Sequence, residues 1–245
     1  LRPYSTFSHP NSMGGFYLIL YFLIDWMAIN YFRDDEKPLA STIKIFAIGI
    51  MILSFSKTVV LAFGLISIFT IFKSKPIRAC TLCNFARVSI IFLLIFFIFL
   101  FDGDRNSLPK RVYLARHSIE VFQSNILTGS GVSTSLISQS KITGVAPGAF
   151  TDSLQPVHNI FLLFLSETGL LGVVFLVTMI WNSRPLFHNV KFIPLRALSG
   201  IALTGMLDHY WITIPQNIAL LGFAIAISIH ILKSDDQLEL PLWKS

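Results

Sequence analysis

The stretch His158-Asn159-Ile160-Phe161-Leu162-Leu163-Phe164-Leu165-Ser166-Glu167-Thr168-Gly169-Leu170-Leu171-Gly172 continues through Val173 to Trp181 with Glu167 as its one acid and no Lys or Arg. About 20 such apolar residues cross a bilayer, and His158–Trp181 reads as a span. Working outward, six further runs have the same character: Met13–Phe32, Ile43–Phe55, Thr58–Phe72, Val88–Phe101, Ile193–Leu207 and Gln216–Leu232. Composition agrees. Of 245 residues, 53% are hydrophobic and 13% charged, against roughly 25% charged in soluble domains. The reading is an all-α integral membrane protein with about seven transmembrane helices. It excludes a soluble enzyme, a disordered tail and a disulfide-stapled secreted domain.

The net charge of +6 sits in short clusters between apolar runs, which argues for cytoplasmic loops rather than nucleic acid. The loop Lys73–Arg87 carries Lys73, Lys75, Arg78 and Arg87 without an acid, and Arg33, Lys37, Arg184 and Lys191 flank other spans. Placing these inside puts the long segment Asp102–Val157 on the outer face. Cys80 and Cys83 form a lone C-x2-C without a second ligand pair nearby, so reduced thiols are expected rather than zinc. Residues 1–245 read as a single membrane domain. Because it opens inside a polar, turn-rich loop, the chain is expected to be the C-terminal part of a longer protein.

The outer loop, residues 102–157, is expected to contain an amphipathic helix. Ser107 can cap it, Pro109 fits a first turn, and Val112, Ala115, Ile119 and Phe122 recur at helical spacing. Gly129-Ser130-Gly131 ends this helix, and a flexible run to Phe150 follows. His158 opens a span where this loop meets the membrane, a natural place for a base, since imidazole accepts a proton near neutral pH. Gly169 and Gly172 are read on one helix face, permitting close helix contact. Glu167 lies roughly opposite His158 on an ideal helix and is expected to pair with another helix, as is Asp25. Lys44 can snorkel to the inner interface.

His158-Asn159, nine intervening residues, Gly169, two leucines and Gly172 resemble the signature H-[NSQ]-x9-G-x2-[GTY] of the O-antigen ligase and O-antigen polymerase family. Other pieces resemble that family in the same order. Tyr4-Ser-Thr-Phe-Ser-His9-Pro10-Asn11 is similar to its G-T-F-x-H-P-N, and Ser54-Phe-Ser56-Lys57 to its Ser-Arg turn. Arg111-Val-Tyr-Leu-Ala-Arg116 followed by Gly129-Ser-Gly131 is similar to its outer-loop R-x3-W helix and G-x-G. Asp208-His209-Tyr210-Trp211 is similar to its late D-H-Y turn. The chain departs at Lys57 in place of arginine, Ser5 in place of glycine and Ile126 in place of proline, and it lacks the tryptophan near Ala115.

The resemblance implies a metal-independent glycosyltransferase without a cofactor, in the bacterial cytoplasmic membrane, acting at its outer face. It would move a saccharide from an undecaprenyl-diphosphate carrier to a hydroxyl on a glycolipid or growing polysaccharide, as in lipopolysaccharide assembly. The partners implied are that lipid-linked donor, a saccharide or glycolipid acceptor and membrane lipids. His158 would assist the acceptor hydroxyl; Lys57, Arg111 and Arg116 would hold the diphosphate, Arg111 foremost because arginine grips phosphate oxygens in pairs. Asn159, Asp208, His209 and Tyr210 are secondary candidates. The competing reading is a polytopic transporter or flippase of a lipid-linked saccharide, with Asp25, Lys44 and Glu167 lining a pathway.

Overall fold

The computed structural model describes residues 9–73, 107–145, 154–182 and 192–234, with the isolated positions 7, 89 and 92. The described elements are all helical. Cys80, Cys83 and nearly all of the fourth expected span lie outside the described residues.

Helix α1 (Pro10–Asn30) begins where Pro10 supplies first-turn geometry and the His9 ring nitrogen Nδ1 accepts from the Asn11 N–H at 3.1 Å. It is apolar around its circumference and is therefore the central element. Around it lie α2 (Lys37–Leu53), α3 (Lys57–Lys73), α7 (Phe192–Gly205) and α9 (Pro215–Ser234). Leu18, Ile19 and Phe22 of α1 meet Val59 and Ile66 of α3, Ile201 of α7 and Ala224 of α9 in one core. Gly14 and Gly15 let α1 approach its neighbours closely: added Cβ atoms would strike the Ser54 hydroxyl and the Tyr210 ring respectively. The connection Ser54–Ser56 is thus pressed onto the first turns of α1.

The six expected spans that fall on described residues coincide with helices to within a few residues. Among the described residues, two stretches, Pro10–Ile29 and Ile160–Asn182, are long and apolar enough to cross a membrane; Lys57–Thr70 and Pro215–Ile227 are shorter apolar helices. Along α6 (Ile160–Asn182), the part after Gly169 is exposed, with Phe175 at 67% and Trp181 at 63%. A row of large apolar side chains of this kind is what a lipid-facing helix presents.

Residues 107–182 differ from expectation in three respects. First, α4 (Ser107–Ser124) forms as expected, but Val112 and Ile119 face outward, 63% and 44% exposed. The helix docks instead through Leu114, Ser118 and Val121, which line one small cavity with Leu163 and Ser166 of α6. Spacing explains the choice, because Arg111 lies three residues before Leu114 and its face must turn inward for Arg111 to reach its partner. Second, the run expected to be flexible contains α5 (Ser135–Thr143), ended by Gly144 at φ 69°. Third, α6 is not continuous. Gly169 has φ 63° and ψ −164°, so it does not share a helix face with Gly172.

Freed backbone groups inside an apolar helix cost several kcal/mol each unless paired. Here the segment after α4 pairs them. The N–H groups of Ser130 and Gly131 donate to the carbonyls of Ser166 and Glu167, both at 2.9 Å. The N–H groups of Leu170 and Leu171 donate to the carbonyls of Ile126 and Leu127, at 2.9 and 3.0 Å.

Candidate functional site

The sequence-predicted residues gather around the turn Met206–His209, between α7 and the short helix α8 (Tyr210–Thr213). Three consecutive residues of that turn are each held by residues from elsewhere in the chain. Asn159 Nδ2 donates to the Met206 carbonyl at 3.0 Å, and Arg111 donates to the Leu207 carbonyl at 2.6 Å. His158 Nδ1 lies 3.2 Å from Asp208 Oδ1, while Asn11 Nδ2 donates to Asp208 Oδ2 at 2.7 Å. Helix α4, the start of α6 and the first turn of α1 therefore converge on three consecutive residues.

Local chemistry explains each placement. Asn159 precedes α6, and its Oδ1 accepts from the Leu162 N–H at 2.9 Å, capping the helix. His158 thus sits just outside the helix, and helical spacing does not fix its angle to Glu167. The two are nonetheless apart: Glu167 accepts from Ser135 Oγ of α5 at 2.7 Å. Asn11 gains its position from the His9–Pro10 helix start. One residue further, Ser12 Oγ donates to Asn217 Oδ1 at 2.5 Å, tying α1 to α9 at the same end of the bundle.

Asp208 is 3% exposed. Burial opposes its charge, but the hydrogen bonds with His158 and Asn11 outweigh that and hold the carboxyl below the usual carboxylate range. An ionised carboxylate only accepts, so the proton on a neutral His158 ring belongs on Nδ1 and leaves the Nε2 lone pair free. His209 donates its backbone N–H to Asp208 Oδ1 at 2.9 Å. Its ring stands 5.2 Å from that of His158, centroid to centroid. Burial pushes the His209 imidazole down to about 4, against the pull of Asp208. The nearby charges of His9 and Arg111 act in the same direction as burial.

The other candidates lie elsewhere. Arg116 is 81% exposed and pairs with Glu120 on its own helix at 3.4 Å. Tyr210 is 1% exposed and packs on Gly15, a core position. Lys57 opens α3 directly after the Ser54–Ser56 turn, at the same end of the bundle as Asn11. Lys44 does not snorkel: its Nζ bonds Asp25 at 2.8 Å, and Arg196 reaches the same carboxylate at 3.3 Å. Asn11 escaped the sequence reading as a site residue, although it stands in the quoted His9-Pro10-Asn11 opening.

His158, Asp208 and His209 place one donor atom each within 4.8 Å of one another. Both Asp208 oxygens already accept hydrogen bonds. Three protein donors fall short of the four of a structural zinc site and equal the number in a catalytic one.

Among protein families, the chain matches O-antigen ligase over residues 42–177, more than half of its 245 residues. The matched region holds Lys57, Arg111, His158, Asn159 and the break at Gly169, while Asn11 and Asp208 lie outside it. No curated protein and no solved structure matches significantly.

Proposed function

Because the chain belongs to the O-antigen ligase family, we propose that it is a membrane glycosyltransferase working from an undecaprenyl-diphosphate-linked saccharide. The acceptor is a hydroxyl on a glycolipid or growing polysaccharide, and the site faces outward from the bacterial cytoplasmic membrane. The observation that carries this reading is the meeting of Arg111 and the His158–Asp208 pair on adjacent residues of one turn.

In this reading the acceptor oxygen attacks the anomeric carbon, forming the new glycosidic bond. The bond from that carbon to the phosphate oxygen breaks, and undecaprenyl diphosphate departs with the electron pair. His158 Nε2 receives the acceptor's proton, with Asp208 orienting the ring and stabilising the imidazolium. Negative charge grows on the leaving diphosphate, where positive groups help most. Arg111 spends one N–H on Leu207 and offers the remaining donors of its five to phosphate oxygens. Lys57 adds a second charge from the neighbouring helix end. Charge neutralisation then comes from side chains, and no metal or cofactor is called for. Seven crossings, with Lys73–Arg87 inside, complete the arrangement.

The test is saccharide transfer from a polyprenyl-diphosphate donor, in membranes holding the full-length protein, normalised to protein level. His158→Ala and Arg111→Ala should each lose most transfer while remaining inserted. Full activity in both would overturn the reading.

A further inference from the structure

At Gly169 the backbone lies at φ 63° and ψ −164°, a region that only glycine occupies readily. Its neighbour across the contact, Gly129, has φ 67°. Neither position has room for a side chain. A Cβ on Gly169 would lie 2.5 Å from the Leu127 carbonyl and from the Gly129 nitrogen; one on Gly129 would lie 2.5 Å from the Glu167 oxygen. With the four backbone hydrogen bonds between segments 126–131 and 166–171, the two glycines make a clasp. Ser135 Oγ closes it from α5 by its bond to Glu167.

The clasp follows directly on α4, whose other end carries Arg111 on the Leu207 carbonyl. Between them, Leu114, Ser118 and Val121 are buried against α6. Helix α4 is therefore pinned to α6 just past its C-terminal end and to the Met206–His209 turn near its N-terminal end, and that turn is itself tied to His158 and Asn159, immediately before α6. We propose that Gly129 and Gly169 are positioning residues for saccharide transfer: their clasp sets the register of α4 along α6 and so holds Arg111 against the His158–Asp208 pair. The proposal rests on the transferase reading of that site. A slip of one residue along a helix is about 1.5 Å, and a misplacement of about 1 Å can cost on the order of 10²-fold in rate.

The experiment is a double-mutant cycle between the clasp and Arg111 in the full-length protein, reading transfer per inserted molecule. Gly129→Ala and Gly169→Ala should each lower transfer on the order of 10- to 100-fold. In an Arg111→Ala background the same changes should cost about twofold or less, because the group they position is gone. A merely structural role would multiply with Arg111→Ala instead. Gly144→Ala supplies the control. Gly144 has φ 69° with no heavy atom near its missing Cβ, so the variant imposes left-handed backbone strain without touching the clasp and should transfer normally. Ser135→Ala loosens the clasp without backbone strain and carries the test if the glycine variants fail to insert. It should give a partial loss that disappears in Arg111→Ala. Wild-type transfer by the inserted glycine variants, or losses that multiply with Arg111→Ala, would overturn the proposal. So would wild-type transfer by Ser135→Ala where the glycine variants do not insert. If Arg111→Ala and His158→Ala themselves transfer fully, the site reading fails first and the proposal falls with it.

Discussion

His158 can serve as a base only while its Nδ1 proton is committed to Asp208. Asp208→Asn tests that dependence, because an amide can donate to Nδ1 and strand the proton on Nε2. Turnover should fall on the order of 10²–10⁴-fold, the usual scale of general acid–base help, with His158→Ala falling similarly. Wild-type turnover in Asp208→Asn would remove the carboxylate from the mechanism. Arg111→Lys should recover only part of the loss in Arg111→Ala, since the ammonium lacks the planar fork. At Lys57 the native group is already a point charge, so Lys57→Arg should transfer better than Lys57→Ala in the same assay. His209 gives a pH prediction of definite sign. Its folded value, about 4, lies below the ordinary 6.5, so the unfolded chain takes up this proton first. Stability should therefore decline as pH falls through the window from about 6.5 to about 4. Melting of the detergent-solubilised protein should show the decline, and His209→Gln should flatten it; an unchanged slope would assign it elsewhere.

At the scale of elements, the start of α6 does two jobs that can be separated. Asn159 caps the helix through Oδ1 and tethers Met206 through Nδ2. Asn159→Asp keeps the cap but cannot donate to Met206, whereas Asn159→Ala loses both functions and about 1 kcal/mol of capping. Asn159→Asp should therefore melt near the wild type yet transfer more slowly, and equal losses of both properties would deny the tether. Helices such as these were legible in the sequence because long apolar runs bounded by polar turns announce themselves. The break at Gly169 was not legible. One residue's dihedral leaves no trace in an apolar run, and the partner segment 126–131 lies far away in sequence. Helix α5 was hidden by its Ser/Thr-rich composition, which also suits loops. The docking face of α4 was ambiguous because the helix carries two apolar stripes, and only the Arg111–Leu207 contact decides between them. His158, Arg111 and Asp208 were readable through the family resemblance, not through spacing. Their common attachment to one turn is a tertiary fact.

At the scale of the whole molecule, two polar clusters among the described residues lie at different depths along α1. One holds Asn11, His158, Asp208 and Asn217; the other holds Asp25 with Lys44 and Arg196. Along α1, Asn11 and Asp25 are about 21 Å apart on an ideal rise, and Leu18, Ile19 and Phe22 fill the interval. Two polar layers bracketing an apolar one match a bilayer approached from both sides, although the hydrocarbon core is nearer 30 Å. On that view the Asp25 cluster lies within the inner half of the membrane, where buried charges survive by pairing. This is the proposed topology, with the Lys- and Arg-bearing loop after Lys73 inside and the site outside. Cysteine labelling in intact cells tests the assignment. Val132 is 74% exposed in the segment proposed to lie outside, so Val132→Cys, with Cys80 and Cys83 replaced by serine, should react with an impermeant maleimide. The native Cys80 and Cys83 should react only after permeabilisation. Strong labelling of the native pair in intact cells, with none at position 132, would invert the topology and put the His158–Asp208 site on the cytoplasmic face.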